Sequence, residues 1–86
     1  MPTISRFFGI VITLNYADHP PPHFHVRYAG YRALVSIEEL RVIRGRLPPR
    51  VLGLVVEWAF RHRPELRSNW RLARDRQPLM PIEPLE

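Results

Sequence analysis

HFHVRYAGYRALVSI, residues 23–37, decides how this chain folds. Apolar and polar residues alternate on both sides of Ala29-Gly30, the period of two that sends successive side chains to opposite faces of a strand. The pattern predicts two strands, His23 to Tyr28 and Tyr31 to Ile37, joined by a two-residue hairpin turn. Gly30 is expected to supply the positive φ of that turn, for which Ala29 is a poor partner. Tyr28 then faces Tyr31, Val26 faces Ala33 and Phe24 faces Val35 on one apolar side. His23 with Ser36, His25 with Leu34, and Arg27 with Arg32 share the other side.

Working outward, Ile10, Ile12, Leu14 and Tyr16 alternate with Val11, Thr13 and Asn15, which predicts an earlier strand. Asp18 to Pro22 breaks the pattern, because three consecutive prolines cannot serve a central ladder and favour an extended segment. Downstream, a short strand over Leu40 to Ile43 follows the Glu38-Glu39 turn and ends at Gly45. The period then changes. Pro48-Pro49 suits a helix start, and Val51, Leu54, Val55, Trp58, Ala59 and His62 recur at helical spacing. Pro64 ends or kinks this helix near Arg63, and a second helix to about Arg76 puts Leu66, Trp70 and Ala73 on one stripe. The tail, Pro78 to Glu86, carries three prolines and is expected to lie extended along a sheet edge. The reading is an α+β fold: a three- to four-stranded antiparallel sheet followed by two helices packed on one face. Phe24, Val26, Val35, Val55, Trp58, Leu66 and Trp70 are the expected core.

Eighty-six residues with 45% hydrophobic content fit a single domain over residues 1–86 and leave no room for a second core. The chain has no cysteine, which excludes disulfides and thiolate metal sites and fits a reducing compartment. Arg6, Gly9, Thr13 and Asn15 interrupt the apolar N-terminal stretch, so it is too broken to span a membrane, and no small-residue cleavage site follows. These features point to the cytoplasm, with no membrane partner.

The net charge of +5 rests on arginine alone, for the sequence contains no lysine. A genome-wide codon bias produces the same composition, so position carries more than count. Segment 1–40 balances Arg6, Arg27 and Arg32 against Asp18, Glu38 and Glu39, while segment 41–76 sets ten arginines against Glu57, Glu65 and Asp75. On the second helix, Arg67, Arg71 and Arg74 recur at i, i+4 and i+7 and form a basic stripe with Arg63. Like charges at these spacings repel. An acidic protein surface or a nucleic acid would relieve them; the plain alternative is a solvated face whose arginine stems cover apolar neighbours.

The sharpest local signal is Asp18-His19-Pro20-Pro21-Pro22-His23-Phe24-His25. On a strand, His23 and His25 point to one side with Cβ atoms roughly 6–7 Å apart. Two imidazoles so placed can converge on zinc or another divalent transition metal, with His19 the expected third ligand and Asp18 a ligand or a partner to one. A metal-free reading makes His23 and His25 a general acid and base, with Arg27 and Arg32 holding a phosphate, as cleavage of RNA requires. The plain alternative is an edge hairpin whose histidines line its polar face.

Met1-Pro2-Thr3-Ile4-Ser5-Arg6-Phe7, the histidine–proline block, Val56-Glu57-Trp58, Asn69-Trp70 and Ile82-Glu83-Pro84-Leu85 together resemble the prokaryotic family catalogued as domain of unknown function 4160. The resemblance implies one member of a two-gene arrangement with toxin–antitoxin character, and it supplies no reaction. The expected function is therefore a small basic interaction module that binds a cognate small protein, with nucleic acid as the second partner class. The alternative is a histidine-centred hydrolase or ribonuclease, metal-dependent or metal-free.

Overall fold

A computed structural model describes residues 2–86; Met1, the first residue of the N-terminal motif, lies outside them. Five strands, β1 (Thr3–Phe7), β2 (Ile10–Thr13), β3 (His23–Tyr28), β4 (Tyr31–Ser36) and β5 (Val42–Gly45), form one antiparallel meander in chain order. Helices α1 (Pro49–Arg61) and α2 (Arg63–Arg74) follow. The β3–β4 register pairs Phe24 with Val35, Val26 with Ala33 and Tyr28 with Tyr31, as the alternation predicts. The turn differs in one respect: the positive φ falls on Ala29, at 50°, and not on Gly30.

The fifth strand corrects the expected three or four. It is β1, joined to β2 through Phe8 and Gly9, both at positive φ, in a tight two-residue turn. A bulge between Thr3 and Ser5 buries the adjacent residues Ile4 and Ser5, which hides the period of two. The last strand also starts later than expected. Leu40 sits in the preceding turn at φ 53°, with its N–H bonded to the Ser36 carbonyl. At the end of β5, Gly45 (φ 81°) lies so close to β4 that a Cβ there would collide with the Arg32 carbonyl oxygen. Tyr16 is exposed, since β2 ends at Thr13 and only Leu14 continues its buried side. The Pro20–Pro21 peptide bond is cis and residues 20–21 bend, so the proline run is not one continuous extended segment.

Ile10, Ile12, Phe24, Val26, Ala33 and Val35 form the buried side of the sheet. The helices cover it with Val51, Val55, Trp58, Ala59, Leu66 and Trp70. Trp58 is fully buried and packs its ring at a tilt against Phe7 and edge-to-face against Phe24, with centroids 5.3 and 5.9 Å away. Pro49 opens α1 at its first turn, where a missing N–H costs nothing, and Pro64 does the same for α2. His62 lies at the junction, its ring beside Trp58 and its Nδ1 2.7 Å from Glu65 Oε1, a structural position.

The tail is clipped in place by three polar contacts. Trp58 Nε1 donates to the Glu83 carbonyl at 2.8 Å. The buried Asn69 amide both donates to and accepts from the Met80 backbone. Ile82 N–H donates to the Ile4 carbonyl on the outer edge of β1, while Ile82 and Leu85 enter the core. At the other side of the molecule, Arg67 holds Glu38 through two donors and ties α2 to the turn after β4.

Two outcomes follow from this packing. Trp58→Ala removes the largest fully buried side chain and one tail contact, and should cost about 3–5 kcal/mol in a urea titration. Stability within about 1 kcal/mol of the parent would place the indole outside the core. Hydrogen bonds from Arg67, helped by the charges of Arg67 and Arg63, hold the Glu38 carboxyl below its ordinary value and outweigh the opposing effect of burial. The stability this adds is therefore present above the ordinary carboxylate pKa and lost as pH falls through the depressed one. An NMR titration should place the Glu38 midpoint below 4.5 in the parent and return it toward 4.5 in Arg67→Gln.

Candidate functional site

The sheet has one side covered by the helices and one side that α2 reaches only at the His23 end. The register places Arg6, Val11, Arg27 and Arg32 in a row across β1 to β4 of the uncovered side. Thr3, Thr13, His25, Leu34 and Arg44 form the next row, and His23 and Ser36 the one after. Arg6, Arg27, Arg32 and Arg44 are all exposed. No strand position on this side carries a carboxylate. The acids of the first half, which balance its arginines by count, act elsewhere: Glu38 on Arg67, Glu39 on Arg41, and Asp18 on the two histidines. Among the described residues, none of the four sheet arginines has an ion-pair partner. A cleft of about 360 Å³ opens on this side, lined by Thr13, His25, Arg27, Arg32, Leu34 and Arg44.

At one end of the cleft the histidine cluster forms. β3 is the middle strand of five, so its histidines are not those of an edge hairpin. His23 and His25 leave it on one side, with ring centroids 5.3 Å apart. The loop after β2 brings Asp18 back to them: Oδ2 lies 3.0 Å from His23 Nε2 and 3.3 Å from His25 Nε2. His23 is buried against Trp70 of α2, and its Nδ1–H donates to the Pro21 carbonyl at 2.8 Å. His25 is half-buried and accepts from Asn15 Nδ2 at 3.2 Å. Burial pushes the Asp18 carboxyl up. The His19 backbone N–H and the two imidazoles outweigh it and hold the group below its ordinary value.

Three of the four metal candidates read from the sequence are thus brought together: ligand atoms of Asp18, His23 and His25 lie within 4.8 Å of one another. His19 is not among them. Its side chain is exposed, and only its backbone N–H reaches the cluster, through Asp18 Oδ1. The arginine stripe on α2 is divided in the same way. Arg67 is engaged with Glu38, while Arg71 and Arg74 are exposed beside a shallow cleft shared with Pro22 and Trp70. Arg6, Arg44 and Asn15 complete the site and escaped the sequence reading. Arg6 lies on β1, the strand beyond the expected three or four, Arg44 lies on β5 past the expected limit at Ile43, and Asn15 acts through the loop fold.

No curated protein and no solved structure shows detectable similarity to the chain. The family described as Domain of unknown function (DUF4160) matches residues 9–71. That stretch runs from the β1–β2 turn through most of α2 and contains the Asp18, His23 and His25 cluster, while β1 and the tail lie outside it. With more than two thirds of its 86 residues matched, the chain belongs to this family of unassigned function.

Proposed function

We propose that the chain is a small basic interaction module, one component of a two-gene, toxin–antitoxin-like pair, and that its uncovered sheet face binds a cognate small protein with an acidic surface. The observation that carries this reading is the set of four exposed arginines, Arg6, Arg27, Arg32 and Arg44, around half-buried Val11 and Leu34, with no carboxylate on the strands of that face and Asp18 engaged by the histidines at its end. Arginine around an apolar centre is the composition of a protein-binding surface. Arg27 opposite Arg32 is a like-charge pair that costs a fraction of a kcal/mol in the free chain, and an acidic partner converts it to an attraction. Nucleic acid ranks second. Its phosphates suit the arginines, but no Phe, Tyr or Trp stands on these strand positions, which leaves the half-buried His25 as the one ring at the cleft to stack a base.

A second reading, a histidine-centred hydrolase or ribonuclease, draws on one observation: His25 lines the same cleft as Arg27 and Arg32. It ranks lower because His23 is buried and tied to the Pro21 carbonyl, which leaves His25 as the one imidazole at the cleft.

The test is capture of partners from the native cell, with and without nuclease, by the parent and two charge-reversed forms. One form carries Arg27→Glu, Arg32→Glu and Arg44→Glu; the other carries Arg71→Glu and Arg74→Glu. An acidic protein should be held by the parent and the second form, survive nuclease, and be lost from the first form. Equal capture by the parent and the sheet-face variant would contradict the proposal, and loss of capture on nuclease treatment would favour nucleic acid.

A further inference from the structure

We infer that Asp18, His23 and His25 form a three-ligand site for one divalent transition-metal ion of the zinc class, built into the fold independently of the sheet-face partner. The first support is convergence. One ligand atom from each of the three residues lies within 4.8 Å of the others, and Oδ2 is 3.0 and 3.3 Å from the two Nε2 atoms. Two donors bound at about 2.0 Å to a tetrahedral ion stand about 3.3 Å apart, so the two carboxylate–imidazole separations match a ligand shell.

The second support is the orientation of His23. A carbonyl oxygen accepts and never donates, so the 2.8 Å contact to Pro21 fixes a proton on His23 Nδ1 and turns Nε2 toward the carboxylate Oδ2, 3.0 Å away. The ring is only 7% exposed and packs against Trp70, so it is held in that orientation. The Nδ1–H···O=C bond is then the outer contact that orients a metal-binding imidazole and raises its basicity.

The set of two imidazoles and one carboxylate selects among metals. Magnesium and calcium prefer oxygen alone, and Cu(I) prefers sulfur, so zinc, nickel and cobalt fit best and manganese less well.

Titration calorimetry and thermal melting of tag-free protein with zinc, nickel and manganese chlorides at neutral pH test the site. One equivalent of zinc should bind in the micromolar range or tighter, above manganese in affinity, and raise the melting temperature. His23→Ala combined with His25→Ala should weaken binding by about 100-fold or more. Because that pair includes a buried side chain, Asp18→Asn is the companion variant: it keeps the shape, should retain the parent circular dichroism, and should bind about 10–100-fold more weakly. His19→Ala should bind like the parent. The sheet-face variant should keep zinc binding, strengthened and not weakened by its added carboxylates, so failure of the metal site and failure of the partner reading are separable. Absence of zinc binding below millimolar concentration, or full affinity in Asp18→Asn, would overturn the inference and leave a histidine–carboxylate ion pair in its place.

Discussion

The antiparallel pairing of β3 with β4, with Phe24 opposite Val35 and Val26 opposite Ala33, governs everything the sheet buries and everything it displays. Side chains alternate with a period of two, so a slip of one residue would send Phe24 and Val26 to solvent and Arg27 and His25 into the core. The apolar pairs therefore fix the polar ones. Once Val26 is buried under the helices, Arg27 meets Arg32 and His25 meets Leu34 on the uncovered face. Hydrophobic burial on one side sets the electrostatics of the other.

The helical half of the chain secures that arrangement from behind. Trp58 fills the space under Phe7 and Phe24 and still uses its N–H to hold the Glu83 carbonyl. Asn69, fully buried, meets both polar groups of the Met80 backbone, so the extended tail brings no unpaired Met80 amide into the protein. Ile82 then pairs with Ile4 along the edge of β1. Trp58, Asn69, Trp70 and the Ile82 to Leu85 tail thus read as parts of one structural clip. In the Asp18, His23 and His25 cluster only His23 touches the helices, through Trp70, and among the described residues the side chains of Arg6, Arg27, Arg32 and Arg44 hold no ion pair.

Much of this was legible in the sequence, for a physical reason: the alternation over residues 23–37, broken only by Leu34, leaves a single register that buries Phe24, Val26, Ala33 and Val35 together. The helix boundaries were legible because prolines mark them. β1 was not, since its bulge puts Ile4 and Ser5 on the buried side together and breaks the alternation. Charge was misread for a related reason. Summation along segments makes residues 1–40 neutral, yet Asp18, Glu38 and Glu39 face other partners and leave Arg6, Arg27 and Arg32 unpaired. Histidine spacing located two ligands of the candidate metal centre. The third came from Asp18 and not His19, because a loop, unlike a strand, has no fixed direction for its side chains.

Protection of individual arginines against phenylglyoxal, read by mass spectrometry on the module alone and with its captured partner, tests the central claim most directly. If the uncovered sheet face is the binding surface, Arg27, Arg32 and Arg44 are exposed when free and become protected in the complex, while Arg71 and Arg74 react equally in both. Protection of Arg71 and Arg74 with unchanged reactivity at Arg27, Arg32 and Arg44 would contradict it and move the binding surface to α2.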